Sequence, residues 1–126
     1  MDLSNKTILI CDDSILARKQ LKDAICSFTT EANIIEATNG DEACVAYSSD
    51  KPDIVFLDIV MPVMDGNTAL NKIMEMDKDA IIIVVSSIGT QAQLKDAISN
   101  GAKDFIQKPF DPNQLKTILE TRLGGN

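Results

Sequence analysis

The sequence predicts an α/β fold in which a parallel sheet is covered by helices on both faces. Five short apolar stretches alternate with five segments of helical periodicity along the 126 residues, and short connections join them. Consecutive parallel strands separated by helices need right-handed crossovers, which place helices on both faces of one sheet. We therefore predict a single domain over residues 1–126, with a frayed tail at about 124–126.

The five strands are identified by runs of aliphatic and β-branched residues. Thr7-Ile8-Leu9-Ile10-Cys11 is a continuous apolar run, which is typical of a strand buried on both faces. Similar runs place the other strands over residues 33–37, 53–58, 80–85 and 102–107. Polar residues come where these runs end, so polar side chains are expected at the ends of the strands.

The helices are identified by apolar residues spaced three or four positions apart. The first helix begins after Ser14, a predicted N-cap, and the second opens at Asn39-Gly40 and runs to about Ser49. The fourth ends at Asn100-Gly101, a predicted left-handed cap. The side chains predicted to face the sheet are Ala17, Leu21, Ala24, Ile25 and Phe28; Ala69, Leu70, Ile73 and Met74; Leu94, Ala97 and Ile98; and Leu115, Ile118, Leu119 and Leu123.

The composition excludes several classes of function. The 12 Lys and Arg against 19 Asp and Glu give a net charge of −7, which argues against direct binding to nucleic acid. Histidine is absent, which excludes an imidazole base, a Cys2His2 zinc site and a phosphohistidine on this chain.

The cysteines and the N-terminus bear on the compartment. Cys11, Cys26 and Cys44 are an odd number without C-x-x-C spacing, and we expect small buried thiols in a reducing compartment. The N-terminus lacks the pattern of a secretory signal, and no apolar run reaches the ~18 residues that a membrane span requires. We therefore expect a cytoplasmic protein without membrane insertion.

Side chains that could carry chemistry follow four of the predicted strands. They are Asp12 and Asp13 after the first strand, Asp58 after the third, Ser86 and Ser87 after the fourth, and Lys108 after the fifth. Ligands of open parallel sheets bind outside the carboxyl ends of the strands, so we expect these side chains at one edge. Clustered carboxylates without His or Cys suit a hard cation, and Mg²⁺ is the expected metal.

The same edge suits a phosphoryl group. Lys108 supplies a positive charge for an anion, and Ser86 supplies a hydrogen-bond donor. No Walker glycine loop is present, so a nucleoside triphosphate is not the obvious ligand. If a carboxylate accepts the phosphoryl group, Asp58 is the central candidate, because serine is the only other nucleophile nearby and no base is present to activate it.

Taken in order, these residues resemble the receiver domain of two-component response regulators over essentially the whole chain, most closely the stand-alone chemotaxis type. The matching motifs are Asp12-Asp13, Asp58 followed by Met61-Pro62 and Asp65-Gly66, Ser86, and Gly101-Ala102 before Lys108-Pro109-Phe110. Each motif is weak alone, whereas the ordered set at strand ends is specific. The resemblance implies a flavodoxin-like, five-stranded parallel sheet of order 2-1-3-4-5. Chemotaxis receivers are among the proteins that illustrate the rule placing ligands at strand ends. The predicted position of the site therefore does not support the family resemblance independently.

The resemblance also implies a phosphorylation switch that signals by binding a partner and makes no external product. Asp58 would take a phosphoryl group from the phosphohistidine of a sensor histidine kinase, or from a small donor such as acetyl phosphate. Asp13, Asp58 and the backbone carbonyl of Val60 would bind Mg²⁺ directly, and Asp12 would act through water. Lys108 and Ser86 would contact the phosphoryl group.

The output of such a switch would pass through Phe105, which matches the aromatic switch position and is expected to turn inward as Ser86 moves. The implied partners are the kinase, a phosphatase, and a downstream protein that binds the face made by the fourth helix, fifth strand and fifth helix. Chemotaxis or flagellar motor control is the implied process. In this family, tyrosine is common at the position of Phe105 and threonine is frequent at the position of Ser86. The resemblance also implies that the peptide bond between Lys108 and Pro109 is cis.

Three alternatives stay open at this point. One is the receiver part of a larger regulator with a DNA-binding or enzymatic output domain. Another is a haloacid-dehalogenase-like phosphohydrolase, although its D-x-D signature is missing at Asp58-Ile59-Val60 and the chain lacks room for a substrate cap. The third is a flavodoxin-like electron carrier, although no phosphate-binding loop rich in Ser, Thr and Gly follows the first strand.

Overall fold

The computed structural model describes residues 5–28, 32–58, 66–86, 91–108 and 111–123. Its strands are β1 (Thr7–Cys11), β2 (Asn33–Ala37), β3 (Ile54–Leu57), β4 (Ile82–Ser86) and β5 (Asp104–Gln107). Its helices are α1 (Ile15–Phe28), α2 (Gly40–Asp50), α3 (Gly66–Met76), α4 (Gln91–Ser99) and α5 (Pro112–Arg122). The predicted alternation of strands and helices is confirmed.

All of these strands pair in parallel in the order β2-β1-β3-β4-β5. Strand order and direction both match the expectation, and β2 and β5 are the edges. Because the chain runs outward from β1 to β2 and then back past β1 to β3, the strand order reverses beside β1. The carboxyl ends of β1 and β3 therefore border the crevice in which parallel sheets bind ligands.

The core consists of two apolar layers, one on each face of the sheet, because successive strand side chains point to opposite faces. Helices α1 and α5 cover one face. The buried residues of that layer are Ile8, Ile10, Leu21, Ile25, Ile54, Phe56, Ile83, Val85, Ile106, Leu115, Ile118 and Leu119. Helices α2, α3 and α4 cover the other face, whose buried strand residues include Leu9, Val55, Leu57, Ile82 and Val84. Strands buried on both faces explain the continuous apolar runs of the sequence.

Strand β3 begins one residue later than predicted, and β4 and β5 each begin two residues later. Residues 80–81 precede β4, because Asp77 closes the turn after α3 by accepting hydrogen bonds from the amides of Asp79 (2.9 Å) and Ala80 (3.2 Å). Residues 102–103 precede β5, because the end of α4 uses the amide of Ala102. That amide donates to Ala97 (3.0 Å) and the amide of Gly101 donates to Ile98 (3.1 Å), the two bonds of a Schellman cap.

Two side chains predicted to be buried are exposed. Ile98 of α4 has 44% of its surface accessible, and Cys26 of α1 is exposed. Each directly follows a buried residue, Ala97 or Ile25, and successive positions on a helix differ by about 100°. Leu94, the third residue predicted to face the sheet from α4, has its side chain outside the described part.

The predicted N-cap of α1 and the predicted start of α2 are confirmed. The Ser14 hydroxyl accepts the amide hydrogen of Ala17 at 3.2 Å, and the Asn39 side chain accepts that of Glu42 at 2.8 Å. Within the described residues, no helix has both the length and the apolar character needed to cross a bilayer.

Candidate functional site

Backbone hydrogen bonds at the carboxyl edge of the sheet position three of the predicted site residues side by side. Beyond the strand ends, the amide of Asp12 donates to β2 (3.2 Å), that of Asp58 to β1 (2.9 Å) and that of Lys108 to β4 (2.9 Å). These bonds continue the strand pairing by one residue, so the side chains leave the sheet at the same level. The predicted gathering of Asp12, Asp58 and Lys108 at one edge is confirmed.

Three carboxylates meet at this edge. One oxygen from each of Asp12, Asp13 and Asp58 lies within 4.8 Å of the other two. Asp12 is 5% exposed and Asp58 7% exposed, whereas Asp13 is exposed. Among the described residues, Asp12, Asp58 and Ser86 are the buried polar or charged side chains, and all three lie where strands end. Since buried charges are costly unless compensated, the cluster needs positive charge.

Lys108 supplies one such charge. Its Nζ donates to Oδ2 of Asp12 at 2.5 Å and lies 3.6 Å from Oδ2 of Asp58. The Lys108 side chain is 20% exposed, so its ammonium is partly shielded from water. One ammonium against three carboxylates leaves a net charge of −2 on these four groups.

Asp12 is held from three directions. Its Oδ1 accepts the amide hydrogen of Ser14 at 2.9 Å, and its Oδ2 accepts the bond from Lys108. Its backbone carbonyl accepts a hydrogen bond from Nη1 of Arg18 at 2.6 Å. The contact from Arg18 was not anticipated from the sequence, where the residue is an ordinary basic position on the first helix.

Cys11 lies beside the cluster but does not offer a nucleophile. Burial, together with the negative charges of Asp12 and Asp58, raises the pKa of its thiol to about 12. Its Sγ lies 3.2 Å from the carbonyl of Asn39, to which the thiol donates. The thiol is therefore protonated at neutral pH and is a packing group.

The remaining predicted residues are distributed as follows. Ser86 ends β4 at the same edge, and its side chain is 3% exposed. Phe105 lies earlier on β5, outside the carboxylate cluster, and is 38% exposed. Val60, Ser87 and the peptide bond from Lys108 to Pro109 lie outside the described residues, so the predicted carbonyl ligand and cis bond stay predictions.

The donor set fits a hard divalent cation. Its three carboxylates offer only oxygen, they lie close enough together to share one ion, and they carry excess negative charge. Soft metals prefer thiolate and imidazole ligands. The chain has no histidine, and among the described residues the Cys11 thiol is not part of the carboxylate cluster.

The comparisons with known proteins agree with this geometry. A family model of the response regulator receiver domain matches residues 8–120. The chain belongs to this family. Receivers of this kind are signalling switches rather than classical enzymes.

The similar proteins include chemotaxis receivers. The chain is 49% identical over 114 residues to the chemotaxis protein CheY of Thermotoga maritima, an alignment that covers 90% of this chain and 94% of that protein. It is 44% identical over 116 residues to CheY of Bacillus subtilis, with coverages of 92% and 96%. A solved CheX-CheY-BeF3-Mg complex from Borrelia burgdorferi is 41% identical with a TM-score of 0.85, covering 92% of this chain and 87% of that one. The chain is thus a CheY-like receiver, a phosphorylation-dependent signalling switch of chemotaxis.

Proposed function

We propose that Asp58 is the phosphoryl acceptor of this receiver. The observation that carries the proposal is its buried carboxylate, which lies in contact range of the ammonium of Lys108 and within the three-carboxylate cluster. A carboxylate oxygen of Asp58 attacks phosphorus, the bond from phosphorus to the donor breaks, and the donor leaves with that electron pair. The proposed donor is the phosphohistidine of a sensor kinase.

The other residues of the edge take separate roles in this proposal. Asp13, Asp58 and the backbone carbonyl of Val60 would hold Mg²⁺ directly, and Asp12 would contribute through water. The bound ion would supply positive charge against a phosphoryl group that approaches three carboxylates. Lys108 binds the transferred group, and the hydroxyl of Ser86 donates to it.

Phe105 is proposed to report phosphorylation at the surface. Phe105 is 38% exposed and lies on β5, the strand that leads to Lys108. Movement of Ser86 toward the phosphoryl group makes room for the ring, and its burial reshapes the face of α4, β5 and α5. A differential contact of this kind is what shifts a two-state equilibrium. The downstream partner binds that face, and a phosphatase resets the switch.

The wider setting follows from these assignments. Residues 1–126 are proposed to act as one receiver whose product is its own altered surface, in chemotaxis or control of the flagellar motor. A cytoplasmic location suits the three free thiols, since disulfides are rare in reducing compartments. The partner named in the Borrelia complex, CheX, indicates the class of protein to test as a binding partner.

The acceptor is tested by intact mass after incubation with acetyl phosphate and Mg²⁺. The native chain is expected to gain one phosphoryl group, and both Asp58→Asn and addition of a chelator are expected to abolish the gain. Asp23→Asn is the matched control, because it removes an exposed carboxylate whose ion pair with Lys19 is remote from the site. A gain that persists in Asp58→Asn would overturn the assignment.

A further inference from the structure

We infer that Arg18 is a positioning residue for the cation site, acting through the peptide unit between Asp12 and Asp13. Arg18 is the fourth residue of α1, and its side chain is only 12% exposed. Nη1 donates to the Asp12 carbonyl at 2.6 Å, and Nε donates to Oε1 of Glu36 at 3.1 Å. The inference rests on the proposed function, because it concerns how the proposed ligands are held.

The contact matters because of which peptide it holds. The carbonyl of Asp12, the amide of Asp13 and the Cα of Asp13 belong to one planar unit, so holding the carbonyl also holds the Cα from which the Asp13 side chain leaves the backbone. The Asp12 carboxylate has its own anchors in Ser14 and Lys108. Within the described ranges, no hydrogen bond or ion pair holds the carboxylate of Asp13, which is exposed. Its place in the cluster therefore depends on the backbone.

Glu36 orients the guanidinium for this task. It stands on β2, beside β1, and pairs with Ile10 in the sheet register. Because Arg18 reaches from α1 to both β2 and the loop after β1, its planar fork bonds to two acceptors on different elements at once. Lys22 lies at the outer side of Glu36, 3.9 Å from Oε2, and is 47% exposed.

An alternative is that Arg18 only attaches α1 to the sheet. The affinity for Mg²⁺ distinguishes the two roles, because a purely structural contact would leave that affinity unchanged. Groups that orient metal ligands typically change affinity by about tenfold or more when they are removed. Arg18→Gln is therefore expected to weaken Mg²⁺ binding by about tenfold, measured by titration calorimetry. Glu36→Gln and Arg18→Lys each keep one of the two contacts. Their Mg²⁺ affinities are expected to lie between those of Arg18→Gln and the native chain.

Lys22→Gln is the matched control, because it removes a neighbouring cation without touching the Asp12 carbonyl. Its Mg²⁺ affinity is expected to stay within about twofold of the native value, since an exposed ion pair contributes little. Melting temperatures measured without Mg²⁺ report any loss of stability separately. Should Arg18→Gln fail to fold, Glu36→Gln and Arg18→Lys provide the test.

Two results would overturn the inference while leaving the proposed cation site in place. One is a folded Arg18→Gln protein, or the Glu36→Gln and Arg18→Lys pair in its place, with native Mg²⁺ affinity. The other is an equal loss of affinity in Lys22→Gln, which would assign the effect to charge alone. Failure of the native chain itself to bind Mg²⁺ would overturn the proposed cation site, and the inference with it.

Discussion

The ammonium of Lys108 lies 2.5 Å from Asp12 but 3.6 Å from Asp58. The lysine is thus bonded to Asp12 and only near the proposed acceptor. Among the described residues, the carboxylates of Asp12 and Asp13 lie beside Asp58, and the ammonium of Lys108 is shared between Asp12 and Asp58. The excess negative charge of this site favours binding of a cation and lowers the stability of the protein without one.

Replacing the proposed acceptor is expected to stabilise the free protein. Asp58→Asn removes a buried carboxylate that is repelled by Asp12 and Asp13, so the free energy of unfolding should rise by about 1 kcal/mol at neutral pH. Urea unfolding in the presence of a chelator measures the change. Adding Mg²⁺ should narrow the difference, because the native chain gains more from the ion.

The matched control for this stability prediction is Asp23→Asn on the exposed face of α1. Its carboxylate pairs with Lys19 at 3.0 Å, and both side chains are more than half exposed. Its unfolding free energy should change by less than about 0.5 kcal/mol. An Asp58→Asn protein less stable than the native chain without Mg²⁺ would contradict the account of charge at the site.

The single tyrosine gives a direct spectroscopic test of the packing between α2 and the end of α3. The hydroxyl of Tyr47 donates to Oδ2 of Asp77 at 2.8 Å. Burial raises the pKa of Tyr47, and the bond to Asp77 raises it further. The stabilisation from the protonated hydroxyl is complete below the unfolded pKa of about 10 and is lost as pH rises toward the folded value.

Phenolate absorbance should therefore stay low above pH 10 and rise only as the protein unfolds in alkali. Tyr47→Phe should lower the free energy of unfolding by about 1 kcal/mol at pH 7. This deficit should shrink above about pH 10, where the native tyrosine loses its contribution. A phenolate that forms near pH 10 in the folded protein would show that Tyr47 is neither buried nor bonded as described.

Gly101 is expected to be intolerant of a side chain. Its φ is +121°, and a Cβ built there lies 2.9 Å from Cε of Met74. Gly101→Ala should destabilise the protein by about 1–3 kcal/mol, the usual cost of such a backbone conformation for a residue with a side chain. The added substitution Met74→Ala should not restore the loss, because the strain lies in the backbone.

A matched comparison is available at the end of α2. Lys51 caps that helix with φ of +46° in the left-handed region, so Lys51→Gly should leave stability unchanged or raise it by up to about 1 kcal/mol. Chemical denaturation of the two variants side by side measures the contrast. Equal stability of Gly101→Ala and the native chain would contradict it.

The proposed movement of Phe105 can be followed by fluorescence, because the chain has no tryptophan. Phe105→Trp should give solvent-exposed emission in the free protein. Beryllium fluoride with Mg²⁺, a stand-in for the phosphoryl group, should shift the emission to shorter wavelength and reduce quenching by acrylamide. The same substitution combined with Asp58→Asn should show no change, and unchanged quenching despite bound beryllium fluoride would contradict the proposed switch.

The strand-end residues could be predicted from sequence because parallel strands bring their carboxyl ends to one edge regardless of side-chain detail. Asp12, Asp58 and Lys108 meet there for that reason. The role of Arg18 could not be predicted, because its partner is a backbone carbonyl whose direction is set by the loop after β1. Ile98 and Cys26 were misplaced because an apolar residue next to a buried position points about 100° away from it.

The central claim is that Asp58, rather than a neighbouring aspartate, carries the phosphoryl group. Borohydride reduces an acyl phosphate to an alcohol and so converts a phosphorylated aspartate to homoserine, which peptide mass spectrometry locates. After treatment with acetyl phosphate and Mg²⁺, homoserine is expected at position 58 alone, and none is expected when acetyl phosphate is left out. Homoserine at position 12 or 13, with position 58 unmodified, would contradict the account.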